Sequence, residues 1–262
     1  MRIFCIGGGA AGLYFALSMK CQHPDHHITV VERNRPFDTF GWGVVLSDGT
    51  MQSMRKWDPE TAASIDAFNH WDDIELRFKG RTLRTTGHGF IGLGRKKMLN
   101  ILQDRCISFG VELLFELEVK SDQEFQDADL IVAADGVNSR VRAKYVDSFE
   151  PDMVMRPSRY IWLGTNKAFE AFTFDFRRTD HGWFQTHIYR FDDHASTFIC
   201  RRSRQNSMTR RMRAFVTRAE SGIGRSIALA LPRCFARDLA DGPWFAHAVT
   251  KERSSIGNDK WE

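Results

Sequence analysis

The order of apolar and polar positions predicts a strand, a helix and a second strand at the start of the chain. Residues 2–6 are an apolar run of strand length, and residues 10–19 carry Leu13, Ala16 and Leu17 at helical spacing. The β-branched run at 27–31 completes the unit. Two strands joined in this way lie parallel in one sheet. A further buried strand is predicted at 130–134.

The remaining pattern predicts a second, strand-rich region. Residues 51–71 carry apolar groups at helical intervals, whereas 74–78 and 81–85 alternate on either side of Lys79-Gly80, which is typical of a hairpin. Three more strands are predicted at 172–177, 182–189 and 195–200. Together these strands predict an antiparallel sheet rich in Phe, Trp and Tyr, and packing in the core is the first role expected of those rings.

Three glycines follow the first predicted strand. Gly7, Gly9 and Gly12 fit the pattern G-x-G-x-x-G, in which the first allows a tight turn, the second lets backbone approach a pyrophosphate and the third lets the helix pack on the strand. Glu32 ends the second strand, where a carboxylate can accept hydrogen bonds from ribose hydroxyls. The spacing favours dinucleotide binding over a purely structural turn.

A second polar cluster follows the strand predicted at 130–134. Asp135-Gly136 supplies a turn, and Ser139, Arg140 and Arg142 lie at a predicted helix start. These groups are expected at the carboxyl edge of the sheet, where open α/β sheets bind ligands. This reasoning leaves FAD and NAD(P) open as the nucleotide.

Several segments together carry a resemblance to a known family. The pattern D-G-x-x-S-x-x-R, formed by Asp135, Gly136, Ser139 and Arg142, resembles the second fingerprint of the flavoprotein aromatic hydroxylases, the single-component FAD monooxygenases. Residues 40–48, 91–106 and 160–176 resemble the branch that contains salicylyl-CoA 5-hydroxylase, 2-aminobenzoyl-CoA monooxygenase and the violacein tryptophan hydroxylase. The resemblance covers roughly residues 1–200.

The resemblance implies a cofactor, a reaction and a set of site residues. It implies FAD, reduced by NADH or NADPH, and hydroxylation of a small aromatic substrate through a flavin hydroperoxide, a CoA thioester being one option. It places the glycines at the pyrophosphate, Glu32 at the adenosine ribose, Arg95 at the ribose and phosphates, and the segment from Trp42 to Val45 beside the isoalloxazine. The implied cofactor-binding set is Gly7, Gly9, Ala11, Gly12, Glu32, Arg33, Val44, Val45, Arg95, Asp135 and Gly136.

The fold implied by the resemblance is α/β. It has a Rossmann-like FAD-binding domain at 1–71 and 91–155, an antiparallel β-sheet substrate domain at 72–90 and 156–200, and an incomplete C-terminal part. Because the flavin carries the chemistry in such enzymes, the sequence names no catalytic residue. Two alternatives stay open: a flavin or NAD dehydrogenase that inserts no oxygen, and a non-catalytic dinucleotide-binding remnant.

The balance of charge differs between residues 1–200, the body of the chain, and residues 201–262, its tail. The whole chain has 37 Lys and Arg against 33 Asp and Glu, but residues 201–262 alone hold 13 against 6, so the body is not expected to bind nucleic acid. The family's third fingerprint would contain a Gly-Asp dipeptide, which occurs nowhere in this sequence. The tail is therefore interpreted either as a truncated or frameshifted segment or as a basic arm for an anionic partner.

The cysteine and hydropathy patterns indicate where in the cell the protein is expected. The five cysteines are scattered and form no metal-ligand spacing, which is typical of reduced thiols in a cytoplasmic protein and predicts no metal site. No apolar run is long enough to cross a membrane, so a soluble protein is expected.

Overall fold

The computed structural model describes residues 1–39, 41–154, 159–179, 182–202 and 244–247. The helices are α1 (Ala10–Gln22), α2 (Asp48–Trp57), α3 (Pro59–Asp66), α4 (Arg95–Ser108), α5 (Arg140–Lys144) and α6 (Val146–Phe149), with a 3-10 turn at Asp122–Phe125. The strands are β1 (Arg2–Ile6), β2 (His27–Val31), β3 (Gly43–Ser47), β4 (Asn69–Trp71), β5 (Ile74–Phe78), β6 (Arg81–Thr85), β7 (Phe90–Gly94), β8 (Glu112–Leu114), β9 (Leu130–Ala133), β10 (Arg159–Thr165), β11 (Phe172–Thr179), β12 (Gly182–Asp192), β13 (Ala195–Arg202) and β14 (Trp244–His247).

The chain divides into two compact units. The first comprises residues 1–40, 46–68 and 93–154, and the second comprises 41–45, 69–92 and 155–262. The first unit contains a four-stranded sheet in the order β8-β2-β1-β9, and its strands all run parallel. The predicted strand–helix–strand start is confirmed, and α1 extends three residues beyond the predicted helix, to Gln22.

The core of the first unit forms where α1 and α4 pack together. Leu13 and Leu17 of α1 and Leu102 and Cys106 of α4 are fully or almost fully buried. The Cys106 thiol donates a hydrogen bond to the carbonyl of Leu13 at 3.4 Å. The apolar spacing of Leu13, Ala16 and Leu17 predicted from the sequence therefore marks the face that α1 buries.

The predicted helical stretch at 51–71 is two helices and a strand. Pro59 lies at the start of α3, and the residue before a proline is disfavoured in a helix. Asp58 has a non-helical backbone conformation and caps α3 through its side chain, which accepts from the amide of Thr61. The chain leaves α3 after Asp66 and enters β4 at Asn69.

The second unit is built on a seven-stranded sheet in the order β14-β10-β13-β12-β11-β5-β6. The predicted hairpin of β5 and β6 is confirmed, with Lys79 and Gly80 both at positive φ in its turn. The expectation of a purely antiparallel sheet is wrong at one pair, because β5 and β11 run parallel. That arrangement follows from the connection between them, since β11 returns to the sheet some ninety residues after the hairpin rather than through a tight turn.

The sequence tail is described only in part. Residues 201–202 continue β13, and β14 pairs antiparallel with β10. The remaining residues of the predicted basic tail, and with them the choice between a frameshift and an arm, lie outside the described residues. Among the described residues, no helix is both long enough and apolar enough to span a bilayer.

Candidate nucleotide and flavin site

Three parallel strands of the first unit end side by side at the same edge. Ile6 of β1 pairs with Val31 of β2 and with Ala133 of β9. The residues that follow are therefore neighbours: the glycine turn, Glu32 and the Ala134-Asp135 dipeptide. This is the carboxyl edge at which ligands bind in open α/β sheets.

Two of the glycines are required by close backbone contact. Gly7 has a φ of 111°, and a Cβ built there would lie 2.3 Å from the carbonyl oxygen of Ala134. A Cβ on Gly12 would lie 2.0 Å from the carbonyl oxygen of Gly7. The first glycine thus makes the turn, and the last lets α1 press against it.

Gly9 differs from its neighbours because a Cβ there would meet nothing within 4 Å. Gly9 is the N-terminal cap of α1 and makes no side-chain capping bond, so the first amides of the helix, including that of Ala11, face outward without a capping oxygen. A helix N-terminus beside an open glycine suits an anionic group such as a pyrophosphate.

Glu32 is held by two neighbouring backbone segments. Its Oε2 accepts a hydrogen bond from the Gly8 amide at 2.8 Å, and its Oε1 accepts from the backbone and side-chain nitrogens of Asn34 at 2.9 and 2.6 Å. Sequence reasoning found Glu32 but missed Gly8 and Asn34. The run of three glycines was the available signal for Gly8, since a Cβ there would lie 2.8 Å from the Glu32 Cβ.

Asp135 presents one free carboxylate oxygen at this edge. Its Oδ2 accepts a hydrogen bond from the Arg140 amide at 2.8 Å, while its Oδ1 is buried and has no hydrogen-bond partner among the described residues. Ser139 caps α5 by accepting from the Arg142 amide at 3.0 Å. A buried acceptor without a donor is costly in a protein alone, so a ligand with hydroxyl donors fits this position.

The other predicted contacts of the first unit lie on adjoining segments. Arg95 is the first residue of α4, where its Nε donates to Thr39 Oγ1 at 3.0 Å. Arg33 is exposed directly after Glu32, and Gly136 follows Asp135 with a φ of 87°. The open glycine, the fixed carboxylate of Glu32 and the unsatisfied oxygen of Asp135 together match the pyrophosphate, ribose and hydroxyl groups of FAD.

The predicted flavin-side residues Val44 and Val45 belong to the second unit. They follow Gly43, whose backbone is attached to the seven-stranded sheet at two points. The Gly43 amide donates to Thr197 Oγ1 at 3.2 Å, and its carbonyl accepts from the Tyr189 hydroxyl at 2.8 Å. Trp42 packs over Gly164, where a Cβ would come within 3.0 Å of the indole.

The sheet beyond this attachment carries a half-buried histidine, His187. Burial, followed by the charge of Arg201, lowers the pKa of His187. The Gln185 amide nitrogen lies 3.0 Å from His187 Nε2, and the ring of Phe174 lies edge-on at 4.9 Å. Sequence reasoning missed this imidazole and its aromatic and amide neighbours.

A parallel sheet whose strand ends gather a glycine turn and two acidic side chains defines a nucleotide-binding α/β protein. Within that class, the family described as "FAD binding domain" matches residues 1–234, and the chain belongs to this family. FAD is accordingly its cofactor, as the resemblance implied.

Curated relatives with high similarity are monooxygenases. The chain is 42% identical over 200 residues to salicyloyl-CoA 5-hydroxylase of Streptomyces sp, covering 76% of this chain and 39% of the relative. It is 32% identical over 200 residues to 3-hydroxy-4-methyl-anthranilyl-[aryl-carrier protein] 5-monooxygenase of Streptosporangium sibiricum, covering 76% and 56%. The chain thus spans about half or less of the length of these relatives.

Solved structures share the fold. The tetrameric form of 2-methyl-3-hydroxypyridine-5-carboxylic acid oxygenase superposes with a TM-score of 0.66 at 19% identity, over 97% of this chain and 71% of that one. P. aeruginosa PqsL, as a mutant, superposes with a TM-score of 0.65 at 16% identity, over 92% and 70%. The predicted combination of a parallel sheet and a second large sheet in an α/β fold is confirmed.

Proposed function

We propose that this chain is the FAD-binding and substrate-sheet part of an aromatic hydroxylase that uses NADH or NADPH and O2. The observation that carries the proposal is the edge of the parallel sheet, where an open glycine at a helix start lies beside two acidic side chains with different hydrogen-bonding states. We assign residues 1–71 and 91–155 to the cofactor domain and 72–90 and 156–200 to the substrate domain. The two compact units of the chain support most of this division, but residues 41–45, 69–71 and 91–92 lie in the second unit.

Each site residue has a task in this proposal. The amides at the start of α1 receive the pyrophosphate, with Gly7, Gly9, Ala11 and Gly12 shaping the turn. Glu32 accepts from the adenosine ribose beside Arg33, Arg95 neutralises phosphate charge, and Asp135 with Gly136 accepts from hydroxyls. Val44 and Val45 lie beside the isoalloxazine. The bound flavin supplies the hydride acceptor and the O2-activating group, while the protein orients the ring and excludes water.

The substrate we propose is an aromatic acyl thioester. Two relatives with strong matches are named for thioesters, one of CoA and one of a carrier protein. The aromatic rings on the sheet that holds Gly43 support a flat substrate, since they offer stacking partners such as Phe174 and Trp162. The four described cysteines are free thiols, which supports the proposal of a cytoplasmic location.

One specific observation favours a second candidate. The sequence lacks the Gly-Asp dipeptide of the third fingerprint. The second candidate is therefore a protein that binds the nucleotide but does not catalyse a reaction. In that case FAD binds, but substrate does not stimulate NAD(P)H oxidation.

The test is the visible spectrum of the recombinant 262-residue chain after incubation with FAD and gel filtration. We expect retained flavin bands for the wild type and loss of flavin for Glu32→Ala, with Glu60→Ala as a matched control on the exposed start of α3. NADPH oxidation stimulated by salicyloyl-CoA, with oxygen from 18O2 in the product, supports the hydroxylase. Retained flavin without such oxidation supports the second candidate, and a colourless wild-type protein refutes both.

A further inference from the structure

One face of the seven-stranded sheet is organised in rows of cross-strand neighbours. The attachment row consists of Tyr189 and Thr197, which hold Gly43, together with Gly164 under Trp42. Side chains two residues along each strand form the middle row, which consists of Phe174, His187, Ile199, Trp162 and Leu76. Two residues further along comes the distal row, which consists of Phe78, Phe176, Gln185, Arg201 and Tyr160.

The distal row opens into an aromatic pocket. The cavity has a volume of about 320 Å³ and is lined by Phe78, Phe176, Trp183, Phe184, Gln185 and Arg201. The rings of Phe78 and Trp183 stack with centroids 5.8 Å apart, and 43% and 41% of these residues are exposed. Large apolar side chains that remain this accessible beside a cavity indicate a binding surface.

Cationic side chains neighbour the rings that line this pocket. Lys79 Nζ lies 5.3 Å from the centroid of the Phe78 ring, and Arg81 is the register partner of Phe78. Arg178 is the register partner of Trp183, and Arg201 lines the cavity itself. We call these four residues the basic rim. Four cations around stacked rings are complementary to a ligand that carries phosphates as well as apolar or planar groups.

The pocket lies too far along the sheet to hold the substrate ring that reacts. From Tyr189 in the attachment row to Gln185 in the distal row is four strand residues, or about 13 Å. If Trp42 to Val45 lie beside the flavin, a substrate ring under reaction lies against the attachment and middle rows. A single benzene ring does not extend from there to the basic rim, so the pocket accommodates a different part of the substrate.

We propose that the pocket and basic rim bind the phosphorylated pantetheine arm of an aryl thioester, while the aryl group lies on the middle row near His187. This inference rests on the proposed function and specifies where its substrate is recognised. The arm is shared by CoA and by acyl carrier proteins, so either is a source of the ligand. The guanidinium groups of Arg178 and Arg201 pair with phosphate, and the ring of Trp183 packs on the arm.

The test measures binding directly, by calorimetry on the full chain with FAD added, so it does not depend on turnover. The probes are salicyloyl-CoA, S-salicyloyl-phosphopantetheine and salicylate. We expect Arg178→Gln/Arg201→Gln to weaken binding of both thioesters about tenfold or more and to leave salicylate binding within about twofold. Trp183→Ala is expected to weaken the thioesters in the same selective way.

Arg55→Gln is the matched control, because it removes the same charge from an exposed arginine of α2. Equal losses of affinity for the two thioesters identify the arm itself as the ligand, which fits a carrier protein as its source. A larger loss for salicyloyl-CoA shows that the rim also binds the nucleotide of CoA. Unchanged thioester binding in the rim variants, or an equal loss for salicylate, overturns the inference. Flavin retention is recorded on each sample, so that failure of cofactor binding is recognised separately.

Discussion

Removing the charge of Arg105 should destabilise the first unit far more than removing an exposed arginine. Arg105 of α4 donates two hydrogen bonds to Asp58, at 2.9 and 3.0 Å, and thereby joins α4 to the cap of α3. The side chain of Asp58 is only 3% exposed and that of Arg105 is 19% exposed. Arg105→Met leaves a buried carboxylate without its cation, which costs about 3–5 kcal/mol.

The control is Arg55→Met, which breaks the ion pair with Asp66. That pair has a similar distance, 2.9 Å, but its side chains are 48% and 32% exposed, so the loss is at most about 1 kcal/mol. Urea unfolding followed by circular dichroism measures both changes. The double variant Asp58→Asn/Arg105→Met should recover part of the loss, since the buried charge is then gone. Equal costs for Arg105→Met and Arg55→Met would refute the reasoning.

The pH dependence gives a second signature of the same pair. Burial alone would raise the pKa of Asp58, but hydrogen bonds from Arg105 and Thr61 outweigh it and hold that pKa below its ordinary value. In the wild type, the resulting stability is present above the unfolded-state pKa and is lost as pH falls through the folded-state pKa. In Arg105→Met, burial acts with one fewer opposing partner and raises the pKa, so acid relieves the penalty. The difference in stability between the two proteins should therefore narrow as pH falls toward the ordinary pKa of an aspartate.

Four further sites yield predictions. Gly12→Ala should cost about 1–3 kcal/mol in urea unfolding, because the new Cβ would lie 2.0 Å from the Gly7 carbonyl oxygen. Gly9→Ala should change stability by less than about 0.5 kcal/mol but reduce FAD retention on gel filtration, and full retention would mean that no phosphate approaches this glycine. Phe198→Ala should cost about 3–5 kcal/mol because this ring is only 1% exposed, and a loss near that of an exposed phenylalanine such as Phe149 would contradict its place in the core. Tyr189→Phe should cost about 1 kcal/mol through the lost bond to Gly43, measured by thermal unfolding against Tyr160→Phe.

Local patterns were sufficient to predict the first half of the parallel sheet. The apolar runs, the glycine spacing and Glu32 all lie within a single strand–helix–strand unit, so short-range sequence fixes their neighbours. The sequence also placed Glu32 at a strand end, and in the structure its carboxylate accepts a hydrogen bond from the Gly8 amide of the glycine turn.

Long-range pairing was not predictable in the same way. Nothing in residues 74–78 indicates that they will pair in parallel with residues 172–176, because alternation specifies a face and not a partner. The same parallel register places Phe78 of β5 beside Phe176 of β11, a pairing that the sequence did not indicate. Asn34 was missed for a different reason, since a polar residue after a strand ordinarily signals only a turn.

The two-sided anchoring of Glu32 constrains how this protein can evolve. Its carboxylate links Gly8 and Asn34 by accepting a hydrogen bond from the amide of each. A substitution at this position would consequently alter the shape of the glycine turn together with the ribose contact that we propose for Glu32. Because residues that share one network have non-additive effects, a change of cofactor in this lineage would require coordinated replacements in both segments rather than a single exchange.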